Sequence, residues 1–457
     1  MAESVELAVI GAGPAGLTAA VEAAGLGLTV TLVDLFARPG GQYFMQTPYE
    51  FNIAPAPSPH AQRLFGSLSQ ADVTVLPETL VWGIFAEENG YLLGLYGPPG
   101  TRRRLSAECV LLAPGAYERP APFPGWTLPG VMTAGAALTM VKHQQVLPGR
   151  RVVLSGTGPL QLILARHLID AGADLVAVLD ANGFPWRGWH HARAIWGQWE
   201  RLNEGWRSWK AVWRAGAGIS WGHTVLRAVG DGQVEQAVIG PVDGSGTETV
   251  SADALCLGYG LAPAVQLSHQ AGCRHHYQRD LGGYVPVRDE WLQTSLNGLF
   301  VAGDGAGIAG KDVALLEGKL AVMAAARQLG RNVATDRVSA VKQDLAQQRR
   351  FAAVLNELFP FPSHWLDSLA DDTILCRCEE VTVGTIRQVI DEGAATVSAI
   401  RMLTRAGMGR CQGRMCGGPV AEFLSSQLGR SVETVGQATT RPPVMPVPLD
   451  GLLEDAN

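Results

Sequence analysis

The hydrophobic pattern near the start of the chain predicts a strand, a helix and a second strand. Val5–Ile10 is a short and mostly apolar run, typical of a strand buried in a parallel sheet. Leu17–Leu26 is rich in small and apolar residues over a helical length, and Leu28–Val33 is a second strand-like run. Strands that alternate with helices are typical of an α/β fold with a parallel sheet.

A glycine-rich turn joins the first predicted strand to the helix, with the residues Gly11, Ala12, Gly13, Pro14, Ala15 and Gly16. In such a turn Gly11 allows the tight bend, Gly13 lets a pyrophosphate approach the backbone, and Gly16 lets the helix pack on the strand. The helix N-terminus adds unpaired N–H groups and a partial positive charge for the phosphates. The second strand ends in Asp34, which is placed to accept hydrogen bonds from a ribose. This order of elements predicts a dinucleotide site.

A late segment indicates that the dinucleotide is FAD. Gly303 and Asp304 follow the strand-like run Leu299–Ala302 and precede a helix predicted over Val313–Gly330. This segment resembles the late motif of flavoproteins with two dinucleotide domains, in which the aspartate contacts the ribityl–pyrophosphate region of FAD. The loop 38–42 resembles the one that lies close to the flavin in the same group. The predicted FAD-binding residues are Gly11, Gly13, Pro14, Ala15, Gly16, Asp34, Gly41, Gln42, Gly115, Gly303 and Asp304.

The same pattern of strand, glycines, strand and acid recurs in the middle of the chain, over Arg151–Leu154 and Leu175–Leu179. The residues predicted to bind a second nucleotide are Gly156, Gly158, Pro159 and Asp180. Gln161 replaces the third glycine, and a bulky residue there pushes the helix away from the strand. Because Asp180 disfavours a 2′-phosphate, NAD or another adenine nucleotide is favoured over NADP. An inherited fold with a relict site is the alternative.

Tryptophan is concentrated in one segment, since eight of the twelve tryptophans fall between Trp186 and Trp221. Six of them have the spacing of one helical face: Trp189, Trp196, Trp199, Trp206, Trp209 and Trp213. We expect an amphipathic helix, or a pair of helices, whose tryptophan face packs on the second nucleotide domain. A docking face for another subunit is the alternative, because Trp and Arg are enriched in interface hot spots. Peripheral contact with a membrane is a third interpretation.

Four of the seven cysteines lie late in the chain, at Cys376, Cys378, Cys411 and Cys416. Two short helices are predicted between the pairs, Thr382–Ile390, capped by Thr382, and Val397–Leu403. A helical hairpin would bring the pairs together as a four-thiolate metal site. Paired cysteines that bind structural zinc are usually separated by two to four residues, so the single-residue gap of the first pair favours a [2Fe–2S] cluster. Zinc and a site without metal are the alternatives.

The overall composition is that of a globular protein with several domains. The chain has 457 residues, 47% of them hydrophobic, and its net charge of −6 argues against nucleic-acid binding. The uncharged window Pro120–Val141 contains four prolines and three glycines, so we expect a loop and a short helix from Thr133 rather than a membrane span. The N-terminus lacks the basic region of a signal peptide, and the clustered cysteines suggest a reducing compartment. We therefore expect a cytoplasmic protein.

Several segments form a specific combination: Leu112–Trp126, Glu317–Gly318, Cys376–Glu380, Met408–Cys416 and Arg441–Pro443. Together with Gly303 and Asp304 they resemble the FAD-bearing subunits of opine oxidases, hydrogen cyanide synthase and heteromeric amino-acid dehydrogenases acting on proline, hydroxyproline or sarcosine. The resemblance runs from about Val5 to Leu452. The cysteine segment is similar to the small [2Fe–2S] domain of bacterioferritin-associated ferredoxin.

The resemblance implies a division of labour between subunits. A separate flavoprotein subunit, similar to D-amino-acid and sarcosine oxidases, would remove hydride from an amine, opine or amino acid, and this chain would relay the electrons. The resemblance also implies NAD or ATP at the second nucleotide site, and it leaves room for FMN at a subunit interface and a small ferredoxin-like partner. No catalytic side chain is predicted in this chain.

Two other functions remain open from the residues themselves. One is a self-sufficient NAD(P)H-dependent reductase of a ferredoxin, and the other is a non-catalytic scaffold subunit. A disulfide reductase is disfavoured, because the sequence has no Cys-x-x-Cys motif.

The expected architecture is an α/β fold with two nested Rossmann-like domains, as in flavoprotein disulfide reductases, and a small helical [2Fe–2S] domain. The expected boundaries are 1–120 and 275–335 for the FAD domain and 121–274 for the second nucleotide domain. A helical connector is expected at 336–370, the cluster domain at 371–440 and a proline-rich extended tail at 441–457.

Overall fold

The computed structural model describes residues 3–47, 57–101, 103–362, 366 and 369–452. The chain folds into two compact units. The first unit consists of Met1–Ala116, Ala262–Ala353 and Thr439–Asn457, and the second of Tyr117–Leu261 and Val354–Ala438. Two short strands, Ala116–Glu118 and Leu261–Pro263, lie where the chain passes from one unit to the other.

The first unit is built on a seven-stranded sheet. Six strands form a path in the order Val73–Leu76, Val30–Val33, Glu3–Ile10, Arg104–Leu112, Gly90–Tyr96 and Leu80–Glu87, and Leu299–Val301 pairs with Arg104–Leu112. The first four strands and Leu299–Val301 are parallel, and the last two continue as an antiparallel hairpin. Side chains alternate between two cores, with Leu7 and Val9 in one and Ala8 and Ile10 in the other. Both faces of the central strand are therefore covered.

Helices and short strands complete the first unit. Its helices are Pro14–Gly25, Pro59–Gln70, Gln266–Gln270 and Lys311–Gln328, and Thr335–Leu358 begins in this unit. Its remaining elements are the antiparallel pair His275–Gln278 and Gly283–Pro286 and the 3-10 turns Arg279–Leu281, Gly303–Ala306 and Leu449–Gly451. In the tail, the buried Val444 donates its N–H to the carbonyl oxygen of Trp82 at 2.9 Å. The tail therefore packs on the first unit.

The second unit contains a five-stranded parallel sheet in the order Ile219–Trp221, Asp174–Asp180, Arg151–Gly156, Ala254–Gly258 and Val131–Thr133. A separate antiparallel sheet consists of His223–Val229, Gln236–Pro241 and Glu248–Ser251. The helices are Ala134–His143, Pro159–Asp170, Ala192–Ile195 and Trp199–Arg214, with a 3-10 helix at Trp186–His191. The first of these helices begins beside Thr133 as predicted, and Thr133 caps it by accepting a hydrogen bond from the N–H of Ala136.

The cysteine-bearing part of the second unit has a small core of its own, which includes Leu375, Ile386 and Phe423. It consists of the paired strands Ile374–Cys376 and Val381–Thr382 and the helices Val383–Asp391, Val397–Thr404, Gly417–Leu428 and Val432–Val435. Thr382 caps the first helix as predicted, since its hydroxyl accepts a hydrogen bond from the N–H of Thr385 at 3.2 Å.

A mixed sheet with a parallel centre, a fully parallel sheet and a small helical domain confirm the predicted α/β class. The prediction for the tryptophan face is wrong. Trp199–Arg214 is a single helix that includes Gly205, but its buried residues are Ser208 and Val212, and its tryptophans point outward. The side chain of Trp189, one of the six predicted tryptophans, lies outside the described residues. No helix in the described ranges is both long and apolar enough to cross a membrane.

Candidate functional site

The glycine turn at the start of the first unit has the conformation that its sequence predicts. Gly11 has a φ of +101°, and a Cβ added there would collide with the carbonyl oxygen of Ala113 on the neighbouring strand. A Cβ on Gly16 would collide with the carbonyl oxygen of Gly11, so this glycine lets the helix approach the turn closely. No side chain caps the helix at Gly13. The N–H groups of the first helical turn therefore remain able to bind a phosphate. This arrangement fits the pyrophosphate of FAD.

Asp34 ties the end of the second strand to this turn. Its buried carboxylate accepts hydrogen bonds from the N–H groups of Ala12 and, at 2.7 Å, Phe36. Burial raises the pKa of Asp34 above its ordinary value, and the two hydrogen bonds act in the opposite direction. The carboxyl group therefore stands beside the glycine turn, where the ribose of a bound dinucleotide lies in this fold.

The loop after Asp34 folds back over the turn. The N–H of Gly40 donates to the carbonyl oxygen of Ala12 at 2.8 Å, and Gly41 has a φ of +57°. A Cβ on Gly41 would lie 2.7 Å from the Cα of Gly13, so only glycine fits at this close approach. Gln42, next in the loop, is exposed.

The late motif meets the first motif in the same unit. A Cβ on Gly303, which has a φ of +72°, would lie 3.1 Å from the Cβ of Ala15. Asp304 is half-buried and accepts hydrogen bonds at 3.0 Å from the N–H groups of Ala309 and Gly310. Burial raises the pKa of Asp304. The structure therefore brings together two predicted motifs that lie almost 300 residues apart in the chain.

Gly115 follows a strand end near the same motif. It has a φ of +74°, and its carbonyl oxygen accepts a hydrogen bond from the N–H of Ala264 at 3.0 Å. A Cβ on Gly305 would lie 2.9 Å from the ring of Pro114 and 3.4 Å from the carbonyl oxygen of Gly115. The predicted residue thus lies against the turn that contains Asp304.

Glu317 belongs to the segments that carry the resemblance, but the sequence assigns it no role; in the structure it is 2% exposed. Its carboxylate accepts a hydrogen bond from the N–H of Gly303 at 2.8 Å and forms ion pairs with Arg288 at 3.0 Å and Arg349 at 2.6 Å. Burial acts to raise the pKa of Glu317, but the two arginines outweigh it and the pKa falls below its ordinary value. Glu317 therefore holds the Gly303–Asp304 turn in position. An acid inside a helix of small apolar residues was the available signal, but sequence alone could not identify its distant arginine partners.

We expect Glu317→Gln to destabilise the first unit and weaken FAD binding. Glutamine keeps the size but removes the charge that two arginines face, and breaking a buried ion pair costs roughly 3–5 kcal/mol in general. Because Arg349 is partly exposed, we expect about 2–3 kcal/mol in the free energy of unfolding. Urea unfolding and flavin content per chain measure both effects. Glu290→Gln is the matched control, since Glu290 pairs with Lys342 on the surface, where such pairs contribute little. Equal effects of the two substitutions would contradict the role of Glu317.

In the second predicted nucleotide motif the acid again lies beside the glycine turn, but the positive φ falls on the second glycine of the turn rather than on the first. Gly158 has a φ of +87°, and its N–H donates to Asp180 at 3.2 Å. Asp180 also accepts a hydrogen bond from the N–H of Asn182 at 2.9 Å. Gln161 is accommodated where the third glycine was expected: it is 2% exposed, and a Cβ on Gly258 would lie 3.4 Å from its Cγ.

A segment of the same unit lies against this motif. A Cβ on Gly158 would lie 3.5 Å from the Cβ of Phe359, and the side-chain amide of Asn182 donates to the carbonyl oxygen of Pro360 at 3.0 Å. Because the phosphates of a dinucleotide approach the backbone at the second glycine of such a motif, Phe359 stands close to the path that they would take.

Asp180 should make the stability of the chain depend on pH. Burial raises its pKa from 3.8 to about 6, so the folded chain retains this proton more tightly than the unfolded chain. The unfolding free energy of wild type relative to Asp180→Asn should therefore fall as pH rises from about 4 to about 6, by at most roughly 3 kcal/mol. Denaturant titrations across this range measure the difference. Asp174→Asn, an exposed residue of the same strand, is the control. If the difference in unfolding free energy between wild type and Asp180→Asn did not change with pH, the raised pKa of Asp180 would be contradicted.

The four late cysteines come together within the second unit. Cys376 ends a strand, Cys416 precedes the helix Gly417–Leu428, and Cys378 and Cys411 lie in the intervening loops. The thiol of Cys416 forms hydrogen bonds with those of Cys376 and Cys411, and Cys411 does so with Cys378. In the described part of the chain, no group of three or more His, Cys, Asp or Glu side chains is arranged to hold a metal ion. The fit to a [2Fe–2S] cluster comes from the donor set, which is the four-thiolate set of such a cluster.

Glycines allow the cysteine loops to approach each other. A Cβ on Gly409 would collide with the Cβ of Cys378, and Gly407 has a φ of +83° with its N–H 3.5 Å from the sulfur of Cys376. The hydrogen bond from Cys416 lowers the pKa of Cys376 to about 6, and the pKa of Cys416 is raised in return. A lowered pKa favours the thiolate, the form in which cysteine binds metals.

The part of the segment Leu112–Trp126 that lies in the second unit contacts the cysteine-bearing part of the same unit. The guanidinium of Arg414, inside the second cysteine pair, donates to the hydroxyl of Tyr117 at 2.8 Å. The indole N–H of the buried Trp126 donates to the carbonyl oxygen of Ile374 at 2.6 Å. Arg119 forms an ion pair with Glu422. These contacts hold the cysteine-bearing part against the segment Leu112–Trp126, and no local pattern in the sequence indicates the pairing.

Comparison with known proteins agrees with this geometry. Residues 5–330 match the model of the pyridine nucleotide-disulphide oxidoreductase family, and residues 374–426 match that of the BFD-like [2Fe-2S] binding domain. The chain is 34% identical to an opine oxidase subunit of Agrobacterium tumefaciens (strain Ach5), over 98% of this chain and 91% of that one. It is 30% identical to hydrogen cyanide synthase subunit HcnB of Pseudomonas aeruginosa, over 96% of each chain. The crystal structure of L-proline dehydrogenase from P. horikoshii has a similar fold, with a TM-score of 0.75, 23% identity, and coverage of 99% of this chain and 81% of that one.

These matches confirm the predicted cofactors, FAD and a [2Fe–2S] cluster, and the predicted family resemblance. The cluster prediction stands over zinc, because the matched domain contains the complete cysteine quartet. The chain belongs to the pyridine nucleotide-disulphide oxidoreductase family, in the group that includes the opine oxidase subunit of Agrobacterium tumefaciens.

Proposed function

We propose that this chain is the electron-relaying subunit of a heteromeric enzyme that oxidises amines, opines or amino acids. The observation that carries the proposal is the presence, in one chain, of a complete FAD motif and a four-cysteine [2Fe–2S] domain. The relatives from opine oxidase and hydrogen cyanide synthase are both subunits of larger enzymes by name. The oxidation of CH–NH or CH–NH2 groups would take place on a partner flavoprotein subunit similar to D-amino-acid and sarcosine oxidases.

The residues of this chain would bind and orient the cofactors rather than act on substrate. Gly11, Gly13 and Gly16 would admit the pyrophosphate of FAD, and Asp34 and Asp304 would bind its sugar and ribityl hydroxyls. When bound, a flavin exchanges electrons in pairs or singly and a [2Fe–2S] cluster exchanges them singly, which suits a relay. The other cysteines, Cys109, Cys256 and Cys273, are buried, and burial raises the pKa of each thiol. Their protonated state disfavours a thiol-based reductase mechanism.

A self-sufficient NAD(P)H-dependent reductase is the second candidate. The pairing of Gly158 with Asp180 favours it, because the acid accepts a hydrogen bond from an N–H of the glycine turn here as Asp34 does in the first motif. Phe359 disfavours it, because this side chain would have to move before phosphates could reach Gly158. Because the electrons would come from the partner flavoprotein subunit, an adenine nucleotide at this site, NAD or ATP, would not be the electron donor. An FMN at a subunit interface, a small ferredoxin-like subunit and a cytoplasmic location also belong to the proposal.

Native purification of the tagged chain tests the proposed function. We expect a flavoprotein subunit to co-purify and the complex to reduce an artificial electron acceptor when an amine, opine or amino acid is added. Bleaching of the flavin by NADH in stopped flow is the matched control measurement. A chain that purifies alone and is rapidly reduced by NADH would support the reductase instead, and a chain without bound flavin or iron would support the scaffold.

A further inference from the structure

The helix Trp199–Arg214 presents an aromatic surface to solvent. Its tryptophan face consists of Trp199, Leu202, Trp206, Trp209 and Trp213, which are 41–68% exposed. The rings of Trp206 and Trp209 stack at 5.1 Å, and Trp199 contacts Trp196 edge-to-face at 5.4 Å. Large apolar side chains exposed side by side mark an interaction site more often than chance.

The helix packs on the second unit through a different side. Ser208 and Val212 are buried and Gly205 is half-buried, and these small residues allow a close approach to the unit. Glu204 lies near Lys142. Burial lowers the pKa of Lys142, and the negative charge of Glu204 acts in the opposite direction. One acid of this helix therefore lies on the side toward Lys142, away from the tryptophan face.

The arrangement around the helix axis separates the residue types. At about 100° per residue, the tryptophan face spans roughly 80° from Trp199 to Trp209. A basic flank lies on the other side of Trp199 and covers roughly the next 80° around the axis. It consists of Lys210, Arg214 and Arg207, which are all exposed. No acid falls within this combined arc. Over the whole helix, four bases (Arg201, Arg207, Lys210, Arg214) and two acids (Glu200, Glu204) give a net charge of 4 − 2 = +2, whereas the chain carries −6.

We propose that the tryptophan face binds the surface of a bilayer that contains anionic phospholipids, with the helix lying in the plane of the headgroups. A helix with a Trp-rich apolar side and a basic flank is typical of such interfacial binding. Indole rings prefer the headgroup region, because they combine a large apolar ring with a polar N–H. The basic flank complements the negative headgroups although the chain as a whole is acidic. The exposed apolar arc contains no Val or Ile, and Lys210 stands at its edge; the cores of protein interfaces are depleted in lysine.

This proposal does not rest on the proposed function, since it uses only the helix and its surroundings. The test uses the full chain with any co-purifying subunits, mixed with vesicles of phosphatidylcholine alone or with phosphatidylglycerol added. We expect sedimentation with the anionic vesicles, weakened by salt, and quenching of tryptophan fluorescence by brominated lipid. Each base near an anionic surface contributes about 1 kcal/mol, so replacing three should weaken binding by roughly a hundredfold.

Two variants and one control separate the contributions. The first replaces Trp206, Trp209 and Trp213 by Ser, and the second replaces Arg207, Lys210 and Arg214 by Gln. The control replaces three exposed arginines elsewhere, Arg63, Arg350 and Arg430, by Gln. We expect both helix variants to lose vesicle binding at least tenfold while the control binds as wild type, with flavin content and circular dichroism unchanged in all three.

Three outcomes would overturn the proposal. Failure of wild type to sediment with anionic vesicles would remove the basis for a lipid partner. Equal binding by wild type and the helix variants would place the lipid contact elsewhere. Loss of a co-purifying subunit in the helix variants, without vesicle binding by wild type, would identify the tryptophan face as a protein interface.

Discussion

Cys411→Ser should leave FAD bound but remove the [2Fe–2S] cluster, and with it the transfer of electrons to one-electron acceptors. Cys411 lies beside two of the other three thiols, those of Cys416 and Cys378. Replacing a residue that only supports a metal ligand typically costs 10–100-fold in metal affinity or activity. We therefore expect the loss of a direct ligand to lower acceptor reduction by at least roughly a hundredfold.

The measurement has three parts. Iron and sulfide analysis gives the cluster content, electron paramagnetic resonance of the reduced chain gives its type, and flavin release on denaturation gives the FAD content. Cys273→Ser is the matched control, because Cys273 is a buried cysteine of the first unit with a hydrogen bond to Thr294 that serine can keep. Full iron and sulfide in Cys411→Ser, or zinc in place of iron in wild type, would refute the cysteine assignment.

The sequence predicts the local elements of both motifs well, because the constraints there are local. A glycine between a strand and a helix has few alternatives to a tight turn, and Gly11 has the positive φ that such a turn needs. Thr382 and Thr133 cap their helices because a hydroxyl at that position can accept a hydrogen bond from the first turn wherever the helix packs. The spacing of the cysteines likewise reflects ligand geometry rather than the surrounding fold.

The tryptophan face shows where sequence periodicity is insufficient. The spacing identifies one side of the helix Trp199–Arg214 correctly, but periodicity does not say whether that side faces the core or solvent. Ser208, Val212 and the half-buried Gly205 form a narrower side that packs closely on the second unit. Hydrophobicity alone favours burial of the tryptophans, whereas the observed packing uses small residues that let the helix approach.

Contacts between distant segments also lie beyond sequence reasoning. Glu317 is recognisable as an unusual acid in an apolar helix, but its partners Arg288 and Arg349 come from two other segments of the first unit. In the second unit, Arg414 and Tyr117 are almost 300 residues apart. Such pairs depend on the three-dimensional course of the chain, and no local pattern in one sequence encodes them.

Three glycine-to-alanine variants near the first nucleotide motif should separate backbone strain from steric collision. Gly25 ends the first helix with an ordinary φ and open space around a new Cβ. Gly27 has a φ of +75° and the same open space, and Gly11 has a φ of +101° and a Cβ position that collides with the carbonyl oxygen of Ala113. The first substitution therefore adds neither strain nor collision, the second adds strain alone, and the third adds both.

We expect Gly25→Ala to be neutral or to stabilise the chain slightly, because alanine favours a helix over glycine. Gly27→Ala should cost about 1–2 kcal/mol in the free energy of unfolding but keep FAD, because only the left-handed backbone is strained. Gly11→Ala should lose FAD, since the turn must shift away from the position that admits the pyrophosphate, and at least tenfold weaker binding corresponds to about 1.4 kcal/mol. Flavin content and denaturant unfolding of the three variants measure these effects. If Gly11→Ala bound FAD as tightly as Gly27→Ala, the turn would not be the pyrophosphate site, because both positions have a positive φ and only the Gly11 substitution places a colliding Cβ in the turn.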